Sequence, residues 1–241
     1  MLKQDAITPL YVQLMEELET SIRNGVYKPG DKIMTEAEMA KEYGVSLITV
    51  RKAVGSLMEK GLVVRKQGKG TFVTKPKYSR NMKKLQSFTE MCEQMGVKPG
   101  AQVLENRLIM ADKKVADRLG IEPGSNVVYI SRLRLADGEP VQVEKSYFPL
   151  KYAFLLEEDL NNGSMFECLK EKAGAKVASS EKMIELCRAT AEEAALVDVK
   201  KGDYLLFVKS TAYDENGEPM YAGIQLINGD RFSLYVYESG K

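Results

Sequence analysis

The sequence contains no histidine and no tryptophan among its 241 residues. Histidine is the commonest general acid or base at neutral pH and the commonest zinc ligand, so its absence removes both uses. It also excludes the serine–histidine and cysteine–histidine pairs that activate nucleophiles. Catalysis by carboxylates or lysine stays open, but the expectation of an enzyme falls. We predict no catalytic residues, no cofactor and no metal site.

Cysteine and long apolar runs are also scarce. The three cysteines, Cys92, Cys168 and Cys187, are odd in number and far apart, which is typical of free thiols in a reducing compartment. No run approaches the roughly 18 apolar residues that suggest a membrane span, and no secretory signal pattern opens the chain. We therefore expect a cytoplasmic protein without a membrane partner.

The net charge of +1 conceals a division along the chain. Residues 1–84 carry 16 basic and 9 acidic residues, whereas residues 85–241 carry 19 and 25. A basic third joined to an acidic remainder predicts two domains, of which the first meets nucleic acid. We expect a DNA-binding domain at residues 1–74, a basic linker at residues 75–84 and a second domain from residue 85 onward.

Residues 35–61 show the start and stop signals of two short helices joined by a tight turn. Thr35 is followed at capping-box spacing by Glu38, which predicts the start of a helix. Gly44 tolerates the left-handed conformation that ends a helix, and Ser46 can cap the next helix almost at once. Two short helices with a glycine-containing turn are typical of the helix-turn-helix motif, whose second helix reads the major groove of DNA.

A short basic hairpin follows the two helices. Apolar runs at residues 62–64 and 71–73 flank a glycine-rich turn with Lys69 at its tip, which predicts a β-hairpin. From residue 60 to residue 84 the chain has nine lysines or arginines and no acidic residue, as expected of a phosphate-binding surface. By pattern alone, an ordinary helical hairpin beside an ordinary β-hairpin remains the alternative.

The linker carries part of this positive charge and admits two interpretations. It is either a solvated tether or an extension of the DNA-binding surface through Lys75, Lys77 and Arg80. Its proline, polar and basic residues show no helical or strand periodicity, and the tether is at least as well supported.

The second domain reads as short helices and strands with a weak internal repeat. Segments 111–141 and 190–220 each show a helix, a loop, an apolar strand, a turn that contains Gly-Glu-Pro, and the start of a second strand. A duplicated unit of this kind predicts one antiparallel sheet with helices beside it, and therefore an α+β fold.

Two arginines stand out within the first of these repeats. Arg132 and Arg134 alternate on one predicted strand and project from the same face as the apolar Val128 and Ile130. Buried arginines require anions. Those anions are either internal carboxylates, such as Glu144 on the returning strand, or a phosphate or carboxylate of a ligand. The residues alone favour internal pairing.

The sequence resembles a known family. The stretch TEAEMAKEYGVSLITVRKAVGSLMEKGLVVRKQGKGTFV is similar to the winged helix of GntR-type bacterial transcription regulators, above all in GVS-x-x-TVRKA and QGKGTFV. The length and the remainder of the chain resemble the HutC branch, whose effector domain is called UTRA. The resemblance implies an α+β protein with an N-terminal winged helix-turn-helix domain and a chorismate-lyase-like antiparallel sheet domain with flanking helices. It also implies a homodimer on palindromic double-stranded operator DNA.

The predicted DNA contacts lie on the two helices and on the wing. Arg51, Lys52 and Lys69 are expected to hold backbone phosphates, while Leu47 and Thr49 approach base edges. Leu47 stands where the family commonly has an arginine, which indicates an operator less dependent on guanine. The full predicted set is Thr35, Glu36, Ser46, Leu47, Thr49, Arg51, Lys52, Lys69 and Gly70.

The resemblance also assigns the arginine pair to a small phosphorylated effector, such as a sugar phosphate or a related compound. Residues matching Arg132 and Arg134 hold the phosphate in phosphosugar-binding relatives, helped by hydroxyls at two helix starts. Tyr221 departs from the family pattern, which indicates a different far end of the effector. The predicted effector site is Ser87, Phe88, Thr89, Arg132, Arg134, Glu144, Ser164 and Tyr221.

Two other classes of function stay open from the sequence. One is a chorismate-lyase-like enzyme fused to a DNA-binding head, against which the missing histidine weighs. The other is a DNA-binding protein that takes no ligand, against which the paired Arg132 and Arg134 weigh.

Overall fold

The chain divides into two compact units, Met1–Pro76 and Lys77–Lys241, which are described separately. In the described part of the chain, no helix is long and apolar enough to cross a membrane. All three cysteines are free, as expected, and burial raises the pKa of the Cys92 thiol to about 11. The computed structural model describes residue 2 and residues 7–66, 68–75, 77–161 and 163–239.

Helix caps organise the first unit. The Thr35 hydroxyl accepts a hydrogen bond from the backbone N–H of Glu38 at 3.3 Å, so the predicted capping box is present. Gly44 ends that helix at φ 64°, and Ser46 caps the next one. These contacts confirm the helix starts and ends that were predicted for the helix-turn-helix. The elements are α1 Leu10–Arg23, α2 Glu36–Tyr43, α3 Leu47–Glu59, β1 Val63–Lys66 and β2 Gly70–Val73.

The first unit has one apolar core, which fixes the orientation of α3. Val50, Ala53 and Leu57 of α3 are fully buried, and each buried aliphatic side chain of leucine or valine size stabilises the fold by about 1.5–3 kcal/mol. Because one face of α3 is held in this core, its opposite face and its first turn are left at the surface. The buried members of the core are Leu14, Leu18, Ile33, Met39, Val50, Ala53, Val54, Leu57, Val63 and Val73.

The second unit combines a large antiparallel sheet with helices on both faces. Its helices are α4 Phe88–Gln94, α5 Lys113–Leu119, a 3-10 helix Leu150–Glu157, α6 Met165–Ala173 and α7 Ala191–Leu196. Its strands are β3 Tyr78–Asn81, β4 Pro99–Met110, β5 Asn126–Ala136, β6 Glu139–Pro149, β7 Ser179–Arg188, β8 Tyr204–Tyr213, β9 Pro219–Asn228 and β10 Phe232–Tyr235.

The large sheet consists of two similar halves. Strand β4, helix α5 and the hairpin β5–β6 form one half, and strand β7, helix α7 and the hairpin β8–β9 form the other. The strand order β4-β5-β6-β9-β8-β7 shows that the halves meet between β6 and β9. The pairing of β6 with β9 satisfies backbone N–H and C=O groups that would lack hydrogen-bond partners in either half alone. The duplicated unit expected from the sequence repeat is therefore confirmed.

One face of this sheet carries a row of polar side chains. The strand register sets Arg132 of β5 opposite Glu144 of β6, and Glu144 opposite Gln225 of β9. Ser210 of β8 and Lys182 of β7 continue the same face to the far edge of the sheet. The 3-10 helix, α6 and α4 cover parts of this face, whereas α5 and α7 cover the other.

The segment predicted as a linker contains regular structure. Strand β3 pairs in parallel with β10, with Tyr78 opposite Phe232 and Arg80 opposite Leu234. Arg80 is only 8% exposed, so the expectation that it extends the DNA-binding surface is wrong. The partner strand lies about 150 residues further along the chain, and no local periodicity could reveal it.

Candidate functional site

The first turn of α3 presents apolar and hydroxyl side chains at the surface. Leu47 is 45% exposed and Ile48 is 77% exposed, although isolated apolar side chains of this size are ordinarily better covered. The Ser46 hydroxyl accepts a hydrogen bond from the Thr49 backbone N–H at 3.2 Å and lies 2.9 Å from the Thr49 hydroxyl. The cap therefore engages Thr49, and Leu47 and Ile48 remain the outward side chains. The sequence analysis missed Ile48.

A shared glutamate ties the two helices to the wing. The Glu36 carboxylate accepts a hydrogen bond from Arg51 Nε of α3 at 2.8 Å and a second from Arg65 Nη2 of β1. The hydrogen bond from Arg51 helps to hold the pKa of Glu36 below its usual value. We call Glu36, Arg51 and Arg65 the surface triad. Glu36 positions two cations at the surface, and Arg65 was missed by the sequence analysis.

The remaining predicted contacts surround this triad on the same unit. The ammonium of Lys52 lies 3.8 Å from the centre of the Tyr11 ring, a cation–π contact that holds it beside α1. Lys69 is exposed in the turn between β1 and β2, where its backbone N–H donates to the Lys66 carbonyl at 3.0 Å. Gly70 has φ 123°, a conformation that favours glycine, which explains the residue at this bend.

The second unit contains a cavity of about 500 Å³ over the polar face of the sheet. Side chains from α4, α6 and strands β3, β7, β8 and β9 line it. A smaller hollow shares Thr89, Ser164 and Tyr221 with the cavity and extends it to Arg132 and Arg134. The structure therefore brings all eight predicted effector residues around this smaller hollow.

Arg132 is neutralised within the protein. Its guanidinium is 3% exposed, and its Nη2 donates to Glu144 Oε2 at 2.8 Å. Its Nη1 donates to the carbonyls of Leu160 and Gly163, both at 3.4 Å. Burial of Glu144 opposes ionisation, but Arg132 and Arg134 outweigh it and hold the pKa of this carboxyl below its usual value. The internal pairing that the residues alone favoured is therefore present for Arg132.

Arg134 is in a different position. It is 2% exposed, and its Nη2 donates to the Thr89 hydroxyl at 3.2 Å. Its guanidinium lies 4.4 Å from the centre of the Phe88 ring, but no described carboxylate pairs with it, and its Nε is buried without a partner. Burial lowers the pKa of Arg134 to about 10. We call Arg132, Arg134 and Glu144 the buried triad; it holds one more positive charge than negative.

Two predicted serines serve as helix caps. Ser87 is 6% exposed, and its hydroxyl accepts a hydrogen bond from the Glu90 backbone N–H at 3.1 Å. The Ser164 hydroxyl accepts from the Glu167 backbone N–H at 3.4 Å and faces the cavity. Thr89, the second residue of α4, accepts a hydrogen bond from Arg134 through its hydroxyl. Asn162, two residues before Ser164 in the sequence, lies outside the described residues.

Tyr221 is part of an aromatic wall. Its ring packs 5.4 Å from Phe148 and 5.5 Å from Phe166, measured between ring centroids, and it is 8% exposed. Burial raises the pKa of its hydroxyl to about 12. The ring therefore forms a fixed apolar side of the cavity. It lies close to the buried triad, because the charge of Glu144 also helps to raise the pKa of Tyr221.

Several cavity residues escaped the sequence analysis. They come from strands that are distant in the sequence, and their common position depends on strand register, so no local pattern could have found them. Arg80 Nη1 donates to Gln225 Oε1 at 3.3 Å, and Lys182 Nζ donates to Ser180 Oγ at 3.1 Å. The missed residues used below are Arg80, Gln86, Ser180, Lys182, Ser210 and Gln225.

A winged helix with cations at its surface, followed by a separate unit with a cavity lined by buried cations, defines a class. It is the class of DNA-binding transcription regulators that carry a second, sheet-based domain. Comparison with known proteins gives the particular family. The chain belongs to the bacterial regulatory proteins of the gntR family, matched over residues 10–73, and contains a UTRA domain, matched over residues 94–233.

Individual relatives are similar over nearly the whole chain. The HTH-type transcriptional repressor NagR of Bacillus subtilis is 34% identical over 235 residues, which cover 98% of this chain and 96% of that protein. A probable fructoselysine utilization operon transcriptional repressor of Escherichia coli K12 is 29% identical over 228 residues, which cover 94% and 93%. The crystal structure of PhnF from Mycobacterium smegmatis superposes with a TM-score of 0.68 at 25% identity, covering 94% of this chain and 99% of PhnF.

Proposed function

We propose that the protein is a transcriptional repressor whose affinity for operator DNA is controlled by a small phosphorylated compound, a sugar phosphate or a related polyol phosphate, bound in the cavity of the second unit. The observation that carries this proposal is the condition of Arg134. It is 2% exposed and has no carboxylate partner within the described residues.

Electrostatics supports an anionic ligand at this point. A buried charge without a partner is costly, and proteins retain such groups chiefly where a ligand or a metal completes them. Arg132 already has Glu144 at 2.8 Å, so the surplus positive charge of the buried triad belongs to Arg134. A phosphate accepts charge-assisted, bidentate hydrogen bonds from guanidinium groups. The Thr89 hydroxyl, 3.2 Å from Arg134, is an additional donor for the same group.

The remaining lining supports a polyhydroxylated body for the ligand. Gln225, Ser210, Ser180 and Gln86 supply amide and hydroxyl groups that both donate and accept hydrogen bonds. Tyr221 supplies an apolar face against which carbon atoms can pack. Few precisely placed polar groups within a partly apolar pocket are typical of small-molecule sites. The relative from Escherichia coli, named for a fructoselysine operon, supports the same class of compound.

On the DNA side, the proposed contacts are those of the sequence analysis together with Ile48 and Arg65. Arg51, Lys52, Arg65 and Lys69 hold phosphates, and the outward Leu47 and Ile48 approach base edges. Glu36 acts by positioning Arg51 and Arg65.

The proposed repressor is a homodimer on a palindromic operator. Strand β7 is an edge of the large sheet, and it exposes the apolar side chains Met183, Ile184 and Leu186, with Tyr204 beside them on β8. An exposed apolar edge strand readily pairs with another chain. A twofold protein also matches the two half-sites of a palindrome. These observations support self-association through this edge.

The effector acts through different affinities for two arrangements of the dimer, since a ligand with equal affinity for both shifts nothing. Arg80 lines the cavity and lies four residues after Pro76, where the first unit ends. A ligand in the cavity therefore meets a residue that is close in sequence to the DNA-binding unit. Ordering of β3 and of the starts of α4 and α6 is the proposed link.

A thermal-shift screen of phosphorylated metabolites, each paired with its dephosphorylated form, tests the proposal. A ligand at about 100 times its dissociation constant adds roughly 2.7 kcal/mol of stability. We expect at least one phosphate ester to stabilise the wild type while its dephosphorylated partner does not. Arg134→Gln should lose this shift because the phosphate loses its uncompensated cation.

Arg107→Gln is the matched control, since Arg107 lies on strand β4 of the same sheet but is 59% exposed and pairs with Glu105. It should keep the full shift. The screen overturns the proposal if no phosphate ester shifts the wild type, or if Arg134→Gln responds as the wild type does. Gel-shift titration of operator DNA with the identified ester then shows whether it weakens binding, as a repressor with an inducer requires.

A further inference from the structure

Two more cations, Arg80 and Lys182, line the cavity, and Arg80 also borders the smaller hollow that contains the buried triad. Arg80 is 8% exposed, and its donors reach only neutral acceptors, Gln225 Oε1 at 3.3 Å and the Gln86 carbonyl at 3.2 Å. Among the described carboxylates, none lies within ion-pair distance of it. Arg80 therefore resembles Arg134: it is a buried guanidinium without an ion pair among the described residues, although the charge of Glu144 reaches it.

Lys182 belongs to the same group. It sits on edge strand β7, where a lysine can ordinarily turn to water, yet its half-buried side chain lines the cavity. Its ammonium donates to the Ser180 hydroxyl at 3.1 Å, and within the described ranges it forms no ion pair. Burial lowers the pKa of Lys182, and the nearby charge of Arg80 lowers it further. Two like charges thus face one space.

Lys182 is well separated from the two arginines of the buried triad along the sheet, and Arg80 lies in the space that both share. Arg132 and Arg134 project from β5, and Lys182 projects from β7, four strands away in the order β5-β6-β9-β8-β7. At about 4.8 Å per step, these two backbones are roughly 19 Å apart. Lys182 lines the cavity and the two arginines line the adjoining smaller hollow, so an extended ligand, and not a single compact anion, is needed to meet Lys182 and Arg134 together.

The charges that line the interior do not cancel. Arg80, Arg132, Arg134 and Lys182 face only one interior carboxylate, Glu144, which leaves an excess of three positive charges. The other charged lining residues are exposed at the rim and nearly cancel each other; they are Glu90, Glu93, Glu167, Lys170 and Lys176. A phosphate monoester carries nearly two negative charges at neutral pH, so one phosphate leaves positive charge over.

We infer that the effector is an extended polyol phosphate with a second acidic group at its other end, and that Arg80 and Lys182 hold that second group. The second group is a carboxylate or a second phosphate, since both offer the anionic oxygens that arginine and lysine recognise. The inference rests on the proposed phosphate site at Arg134, and it specifies which phosphorylated compounds the cavity selects.

Calorimetric titration of the full-length protein with three matched six-carbon probes tests the inference. Sorbitol 6-phosphate has one acidic group, 6-phosphogluconate adds a carboxylate at the other end, and glucitol 1,6-bisphosphate adds a phosphate there. We expect the wild type to bind at least one doubly acidic probe tenfold or more tightly than sorbitol 6-phosphate. The comparison of the two doubly acidic probes identifies the second group.

Variants separate the two cationic groups. Lys182→Gln should remove the preference for the doubly acidic probe while the affinity for sorbitol 6-phosphate changes less than twofold. Lys182→Arg should restore the preference, and Lys170→Gln, an exposed change at the rim, should leave it intact. Arg134→Gln should weaken all three probes, because all three carry the phosphate that it holds.

The outcomes also distinguish this inference from the proposed function. If the wild type binds all three probes equally and Arg134→Gln weakens them, the phosphate site stands and the second acidic group is refuted. Equal weakening of all probes by Lys182→Gln refutes it as well. If the wild type binds neither these probes nor inorganic phosphate, the phosphate site fails and the inference falls with it.

Discussion

The surface triad and the buried triad have the same composition, one glutamate and two arginines, but opposite surroundings. The side chains of Arg51 and Arg65 are 64% and 50% exposed, and both arginines reach one carboxylate. In the buried triad, the side chain of Arg132 is 3% exposed and holds its glutamate alone, while Arg134 is left over. The same residue types therefore form two different devices, because solvent and pairing differ.

The difference indicates what each device can recognise. Exposed arginines are hydrated and screened, so they suit a large polyanion that approaches through water and releases counterions. Buried arginines have no water around them, and an arginine without a carboxylate partner is therefore costly to bury. Such an arginine suits a small anion that takes the place of the missing carboxylate. Under the proposed function, the two triads thus divide DNA binding and effector binding between the two units.

The largest expected effect is the loss of unfolding free energy when the ion pair of the buried triad is broken. Arg132→Gln leaves Glu144 buried without its cation, and breaking a buried ion pair costs about 3–5 kcal/mol of unfolding free energy. Urea unfolding at neutral pH measures the loss. Arg134→Gln is the control and should cost far less, because no described carboxylate forms an ion pair with Arg134. Equal losses in the two variants would show that both arginines are structural.

A smaller effect is expected on DNA binding from the surface triad. Arg51→Ala should weaken binding to all duplexes alike and reduce the slope of log affinity against log salt by about 1, since one phosphate contact is removed. Its unfolding free energy should change by less than about 1 kcal/mol, as is usual for an exposed pair. Titration of duplex DNA over a series of sodium chloride concentrations gives the slope.

The matched control for that experiment is Arg23→Ala. Arg23 is an exposed arginine on α1 that also pairs with a glutamate, Glu19. It should keep the slope of the wild type. An unchanged slope in Arg51→Ala would remove Arg51 from the DNA contacts.

The smallest expected effect is a difference in pH dependence between the two glutamates. The pKa values of Glu36 and Glu144 are lowered from an ordinary value of 4.5. Each therefore adds stability that is present above that value and is lost as the pH falls through its folded pKa. Glu144→Gln should flatten the decline of unfolding free energy below about pH 5. Glu36→Gln should flatten it less, because water screens the surface triad.

Unfolding curves of the wild type and both variants between neutral and acidic pH make this comparison. The expected ranking is wild type steepest, Glu36→Gln intermediate and Glu144→Gln shallowest. The reverse ranking of the two variants would contradict the assignment of the stronger ion pair to the buried triad.

Local features of this fold were predictable from the sequence. The helix caps depend on residues within four positions of each other, so the amino-acid pattern predicts them directly. They are the Thr35–Glu38 capping box, the Gly44 cap and the Ser46 cap. The alternation of Arg132 and Arg134 on one sheet face follows from the two-residue period of a strand. The repeat in the second unit was visible because its turns retain Gly-Glu-Pro.

Nonlocal features were not predictable in the same way. Arg80 was placed in a linker, with its part in DNA binding left open, because its partners, strand β10 and Gln225, lie about 150 residues away. Lys182 gave no signal, since only the pairing of β7 with β8 sets it over the cavity. The sequence also offered Glu144 to both arginines, and only side-chain geometry decided that it pairs with Arg132.

The sequence by itself indicated the class of this protein: caps, hydrophobic periodicity and one-signed charge are local properties that predicted a helix-turn-helix, a basic hairpin and a sheet domain, and the resemblance to GntR-type regulators identified them as a winged helix with an effector domain. The tertiary structure decided which charges are neutralised. Neutralisation depends on distances of a few ångströms between residues far apart in the chain, and on the removal of water around them. That is why one buried arginine has an ion pair within the fold while its neighbour two residues away has none among the described residues.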